Sequence, residues 1–288
     1  MPLYRLTEPA DLVAPSLVIA LDGWVDAGSA ATTAAERLSD GGDLVAEFDA
    51  DALFDFRARR PALEIQDGRP RKLTWSTLTL RRARLGEGAP DLLVLRGAEP
   101  DFRWHQLSRE IVELAKRLEI RQWISLGAIP AAVPHTRPVP ILGTASKPGL
   151  LRGDVQPGPE GILRVPAACI SVLDIAVSKA GVPAVGYFAQ IPHYVNGPYA
   201  TAALALVQAV GRHLEVDIPV VALENEAKLL RQRLDTATAL DESTRGYVER
   251  LEAMVDEARL PAGDDLIADI ERFLRDRGTE LGGTGRPN

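Results

Sequence analysis

The sequence predicts an α/β layered domain over residues 1–218, built on a mixed sheet, followed by a C-terminal helical appendage over 219–277 and a tail, 278–288. Three observations carry this. Short, continuous apolar runs recur between amphipathic segments, as strands buried on both faces do when helices cover a sheet. The segment Lys72–Leu85 breaks the pattern, setting Leu73, Trp75, Leu78 and Leu80 among Thr and Arg. It reads as one or two exposed antiparallel strands, so the sheet is mixed. Beyond Pro219 the strand signal ceases and charged, helix-favouring sequence takes over.

The elements follow in order. Ser16–Asp22 (SLVIALD) is a buried strand that stops at Gly23. Asp26-Ala27-Gly28-Ser29 opens an Ala-rich helix, Ala30–Leu38, closed near Gly41-Gly42. Leu44–Phe48 and Leu92–Leu95 are strands. In Phe102–Leu118, Trp104, Leu107, Ile111, Leu114 and Leu118 recur at steps of three or four and form one helical stripe, with Asp101 placed to cap it. Trp123–Leu126 and Val139–Ala145 are strands, and Ser171–Lys179 is a helix stopped by Gly181 and Pro183. Val185–Ile191 is the last strand, and Asn196-Gly197-Pro198 leads into a helix over Pro198–His213. The appendage holds helices at Asn225–Leu234, Glu242–Val255 and Asp265–Leu274, while the Gly-rich end, Gly278–Asn288, is expected to be disordered.

Composition bounds the function. Hydrophobic residues are 46% and charged residues 25% of 288, enough apolar sequence for a real core. The 33 basic against 40 acidic side chains give −7, which argues against a general nucleic-acid binder. Residues 221–288 hold 15 acidic and 10 basic side chains, so most of the net charge belongs to the appendage. A single cysteine, Cys169, excludes an intrachain disulfide, and its apolar neighbours suit a buried structural thiol. The first residues show no leader pattern, and the longest apolar runs are too short to span a bilayer, so the expectation is a cytoplasmic protein with no membrane partner.

Three strand-terminating turns carry the chemistry on offer. Asp22-Gly23-Trp24-Val25-Asp26-Ala27-Gly28-Ser29 joins a strand to a helix, where ligands and anions bind in open α/β sheets. It lacks the Lys of a phosphate-binding loop, and Asp22 and Asp26 would repel phosphates. The blander reading has Asp26 capping the helix and Trp24 packed against a neighbour. The second turn, Gly127–Pro138, sets His135, Thr136 and Arg137 in a Pro-rich loop: an acid/base group, a hydroxyl and an anion fork, or simply an oligomer contact. The third, Ile191–Tyr199, brings His193 and Tyr194, which either line the same crevice as His135 or satisfy buried backbone groups. There is no Gly-x-Ser-x-Gly elbow or His-Glu-x-x-His helix, so no catalytic residue, metal or cofactor is assigned.

Together LVIALDGWVDAGSAA (17–31), LGAIPAAVPHTRP (126–138) and AQIPHYVNGPYATAALAL (189–206) resemble the proteasome assembly chaperone 2 family, in its bacterial branch, over roughly residues 4–215. The resemblance implies a three-layer α/β/α core similar to the nucleoside phosphorylase type. It also implies self-association into a homo-oligomer and a part in assembling proteasome rings, with proteasome subunits as partners. Chaperones of this type dock through a hydrophobic-Tyr-x ending; this chain departs from that pattern with Gly285-Arg286-Pro287-Asn288. Three readings stay open: a non-enzymatic assembly scaffold, a nucleotide- or nucleoside-like ligand binder or enzyme using a crevice of Asp22, Trp24, His135, Arg137 and His193, and a structural homo-oligomer with another task. An enzyme is the less expected.

Overall fold

The computed structural model describes residues 2–7, 12–83, 85, 89–158 and 161–258. In chain order the elements are β1 (Tyr4–Leu6), β2 (Ser16–Leu21), α1 (Ala30–Leu38), β3 (Asp43–Phe48), α2 (Ala50–Leu53), β4 (Ala62–Gln66), β5 (Arg69–Thr74), β6 (Leu78–Ala83) and β7 (Leu92–Gly97). Then come α3 (Trp104–Arg117), β8 (Gln122–Ala131), β9 (Ile141–Ala145), β10 (Gln156–Pro157), α4 (Cys169–Lys179), β11 (Ala184–Pro192), α5 (Ala200–Leu214), α6 (Val221–Leu240) and α7 (Glu242–Ala258).

Among the described residues one sheet runs β1-β3-β6-β7-β2-β8-β11-β9-β10. Its centre, β7-β2-β8-β11, is parallel. β6, β3 and β1 add antiparallel to one side, and β9 adds antiparallel to the other. The sheet is thus mixed and covered on both sides, a three-layer α/β/α fold.

Period-two alternation sorts the central side chains into two cores. Leu17, Ile19 and Leu21 of β2, with Leu93 and Leu95 of β7, face α3 and α4 and meet Leu107, Ile111, Leu114, Ile170 and Leu173. Val18, Ala20, Val94, Ile124 and Leu126 face α1 and α5 and meet Ala30, Ala34, Ala203, Leu206 and Val210. Each buried Leu, Ile or Val contributes roughly 1.5–3 kcal/mol over the exposed state. Alanines on α1 let it lie close to the sheet, as the Ala-rich sequence requires.

Several expectations change. Lys72–Leu85 divides between two structures: β5 pairs with β4 in an exposed two-stranded hairpin, while β6 enters the main sheet with Leu78, Leu80 and Ala83 buried. Asp101 does not cap α3. The residue before that helix is Arg103, at φ 60, and the Asp101 carboxylate accepts from Asp55 N and faces Arg59 instead. Two compact units form, residues 1–237 and from 238 onward, so their division falls inside α6. The reason lies in α6 itself. Leu223, Leu230 and Leu234 recur at helical spacing and pack on the core that α1 and α5 cover, and Ala227 between them is buried. The helix expected at Asp265–Leu274 and the tail Gly278–Asn288 lie outside the described residues.

Candidate functional site

Parallel β2, β8 and β11 are adjacent, so the turns that follow them share one rim. They do not end at one level. The β2–β8 pairing ends at Ile19↔Ser125, and counting on two residues along each strand sets the end of β2, Leu21, level with Gly127. β8 and β11 stay paired to Ala131 and Pro192. At 3.3 Å per residue this pair overhangs β2 by about 13 Å.

The first turn is stitched against that overhang. Ala128 N donates to Val25 O at 2.6 Å, Asp26 forms a parallel bridge with Ala128, and Tyr199 N donates to Gly28 O at 2.8 Å. Asp26 is buried, and its Oδ1 accepts from Ala31 N at 2.8 Å and Thr32 N at 3.2 Å. It therefore caps α1 across the short 3-10 turn Ala27–Ser29. Burial pushes its carboxyl above the usual range, against the pull of those hydrogen bonds. Gly28, at φ +59, needs its missing side chain: a Cβ there would lie 2.9 Å from Tyr199 Cβ.

Asp22 is engaged within the protein. Its Oδ1 accepts from Glu99 N at 2.9 Å and pairs with Arg59 at 2.9 Å. Glu99 in turn accepts from Cys169 N at 2.6 Å, so one carboxylate ties the rim beyond β7 to the start of α4. Gly23 is exposed beside them. Trp24 is not packed as expected: it is 66% exposed, because the turn it tips faces away from both cores.

At the far end of the overhang, His135 is 2% exposed and half-buried Thr136 and Arg137 follow it. Tyr194 Oη accepts from His135 N at 2.8 Å and lies 2.7 Å from His135 Nδ1. Asp235 of α6 stands 3.2 Å from His135 Nε2. Arg231 donates to Asp235 at 2.7 Å and to His135 O at 3.3 Å. His193 is exposed, with Nδ1 3.1 Å from Ala131 O.

The structure thus joins His135 to Tyr194 and keeps both apart from Asp22. Asp22 borders a polar groove of about 700 Å³ with Thr32, Glu36, Thr79, Arg81 and Arg96, which neither His135 nor His193 lines. Among the described residues no group of three or more His, Cys, Asp or Glu could hold a metal, and no helix is long and apolar enough to cross a membrane.

Sequence reasoning missed Arg59, Glu99, Arg231 and Asp235, the partners that immobilise the rim. Distance along the chain hides them, 100 residues in the case of His135 and Asp235. It also missed Asp174. Its carboxylate is held by Trp123 Nε1 at 2.7 Å and by Ser125 Oγ, and desolvation pushes it up to about 6. A lone acid in the apolar run Cys169–Val177 was the available signal.

Comparison with known proteins places these features. No curated protein matches the chain. Among solved structures, a protein of unknown function from Corynebacterium glutamicum superposes with TM-score 0.82 at 30% identity, covering 89% of this chain and 98% of its own. A PAC2 family protein from Streptomyces avermitilis gives TM-score 0.72 at 36% identity, covering 81% and 99%. A Mycobacterium tuberculosis proteasome-assembly chaperone homologue gives TM-score 0.72 at 32% identity over the same shares. The profile described as the PAC2 family matches residues 20–238, from the end of β2 into α6. The chain therefore belongs to the PAC2 family.

Proposed function

We propose that this protein is a non-enzymatic assembly scaffold that works as a homo-oligomer and docks on proteasome subunits through the rim of its sheet. The observation that carries this is Trp24. A large aromatic side chain stands 66% exposed on a turn whose backbone is bonded to β8 and to the residue before α5. Exposed aromatics on rigid supports are what interface hot spots are made of, because little entropy remains to be lost on binding. The polar groups around it favour docking over catalysis: Asp22 is held by Arg59 and Glu99 N, and His135 is buried under Tyr194 and Asp235. The kinship points the same way, since a 32% identical relative is described as a proteasome-assembly chaperone homologue.

The test is affinity purification of the tagged chain, at native expression level, from a bacterium that carries proteasomes. Proteasome α-subunits are expected to co-purify with the wild type. Trp24→Ala is expected to weaken their retention by about tenfold or more, as loss of a hot-spot aromatic does. Repeated absence of α-subunits from the wild-type eluate overturns the proposal.

A further inference from the structure

Ahead of α4 lies a surface that the folded chain leaves incomplete. The segment Ile162–Ala167 connects β10 to α4. Its main chain makes no hydrogen bond with any described residue, yet it is strongly apolar: Ile162 is 84% exposed, Leu163 65% and Val165 66%. Arg164 stands exposed in its middle and pairs with no carboxylate among the described residues. Contiguous apolar surface of this kind marks interaction sites, and unpaired extended backbone invites another chain.

A pocket of about 290 Å³ lies between the end of β9 and α4, bordered by Ala145, Asp174, Ile175, Ser178 and Val185. The outer edge of β9 is paired with β10 only at Leu142 and Gly143, and among the described residues no strand pairs with that edge at Thr144 and Ala145. Ile175 on the pocket wall is 57% exposed. Among the described residues Asp174 reaches this pocket with neutral donors only, Trp123 Nε1 and Ser125 Oγ, and no ion pair. A carboxylate with no cation in an apolar setting is costly, and an arriving cation removes the cost. Lys179 borders the same pocket from the last turn of α4 and pairs with none of the described residues.

The two features complement each other: an apolar strip with one cation, and a largely apolar pocket whose acid, Asp174, has neutral donors only, with Lys179 at the pocket's border. We propose that two copies of this chain associate with the Ile162–Val165 strip of each laid over the β9–α4 pocket of the other, Arg164 of one meeting Asp174 of its partner copy. The contact is isologous, the same patch serving on both sides. Ile162, Leu163 and Val165 cover Ile175 and the open edge of β9, in the manner of an added strand. This surface rests on the self-association in the proposed function and states where it occurs.

Disulfide trapping tests it. Val165→Cys and Ile175→Cys are made in separately tagged preparations, which are mixed and oxidised. The native thiol stays silent, because Cys169 is buried and desolvation pushes it up to about 12. A covalent dimer carrying both tags is expected. Sedimentation of Arg164→Glu is expected to show the dimer weakened by about tenfold or more, as removal of a desolvated charge pair does. Asp174→Asn separates the role from a structural one: it weakens the dimer while raising the melting temperature of dilute protein, whereas a merely damaged fold would lower both. If the wild type self-associates, yet the mixed disulfide does not form and Arg164→Glu leaves association unchanged, this surface is wrong while self-association stands. A wild type that sediments as a monomer at every concentration overturns both.

Discussion

Asp174 and Asp26 show opposite ways of housing a buried acid. Asp26 sits at the first turn of α1, where free N–H groups need an acceptor, and two of them bind it. Asp174 lies in the middle of α4 against β8, where an indole and a hydroxyl are all it finds. Its folded pKa, about 6, lies above the 3.8 of an unfolded Asp, so the native state takes up a proton as pH falls between those values. Stability is therefore gained on acidification through this window and lost as pH rises through it. Asp174→Asn is expected to stabilise dilute protein at pH 8 by on the order of 2–3 kcal/mol, the gain shrinking to nothing near pH 4. Thermal melts of both proteins across pH 4–8 check this, and a gain that grows toward acid would contradict it.

Among the elements, those buried on two faces were legible. β2, β7, β8 and β11 are continuous apolar runs because helices cover both sides of them, and α3 carries its stripe openly. β1 and β10 were not legible: they are short edge strands, three and two residues long, and owe their shape to a neighbour's ladder. β4 is exposed along its whole length, so no alternation marks it. The candidate site was legible in its topology, since turns after parallel strands must share a rim. It was not legible in depth, because residue pattern does not reveal how far β8 and β11 outrun β2. Gly28 belongs to this scale, as it locks the first turn against the start of α5. Gly28→Ala would force a Cβ to 2.9 Å from Tyr199 Cβ at a left-handed backbone. A loss of about 2–3 kcal/mol in urea denaturation is expected, strain and overpacking adding. A variant as stable as the wild type would mean the turn is not locked there.

For the whole molecule, the division inside α6 changes what a truncation tells. Ending the chain after residue 218 strips Leu223, Leu230 and Leu234 from the core beneath α1 and α5. It also removes Glu226 from Arg37 and Asp235 from His135. Such a chain is expected to melt well below the full-length protein, since two or more large side chains leave the core. A chain ending after residue 237 keeps these contacts and is expected to melt cooperatively with native circular dichroism. Equal melting of the two truncations would show that the first half of α6 adds nothing to the core.

The overhanging pair β8–β11 has a consequence for how this architecture can be retuned. Its tip rides on a ladder whose register is fixed from Trp123↔Ala184 to Ala131↔Pro192, so it acts as a ruler. Lengthening or shortening both rungs by two residues would move the tip by about 7 Å while leaving every side chain on its own face. Reach can thus be graduated in steps, with the packed layers beneath untouched.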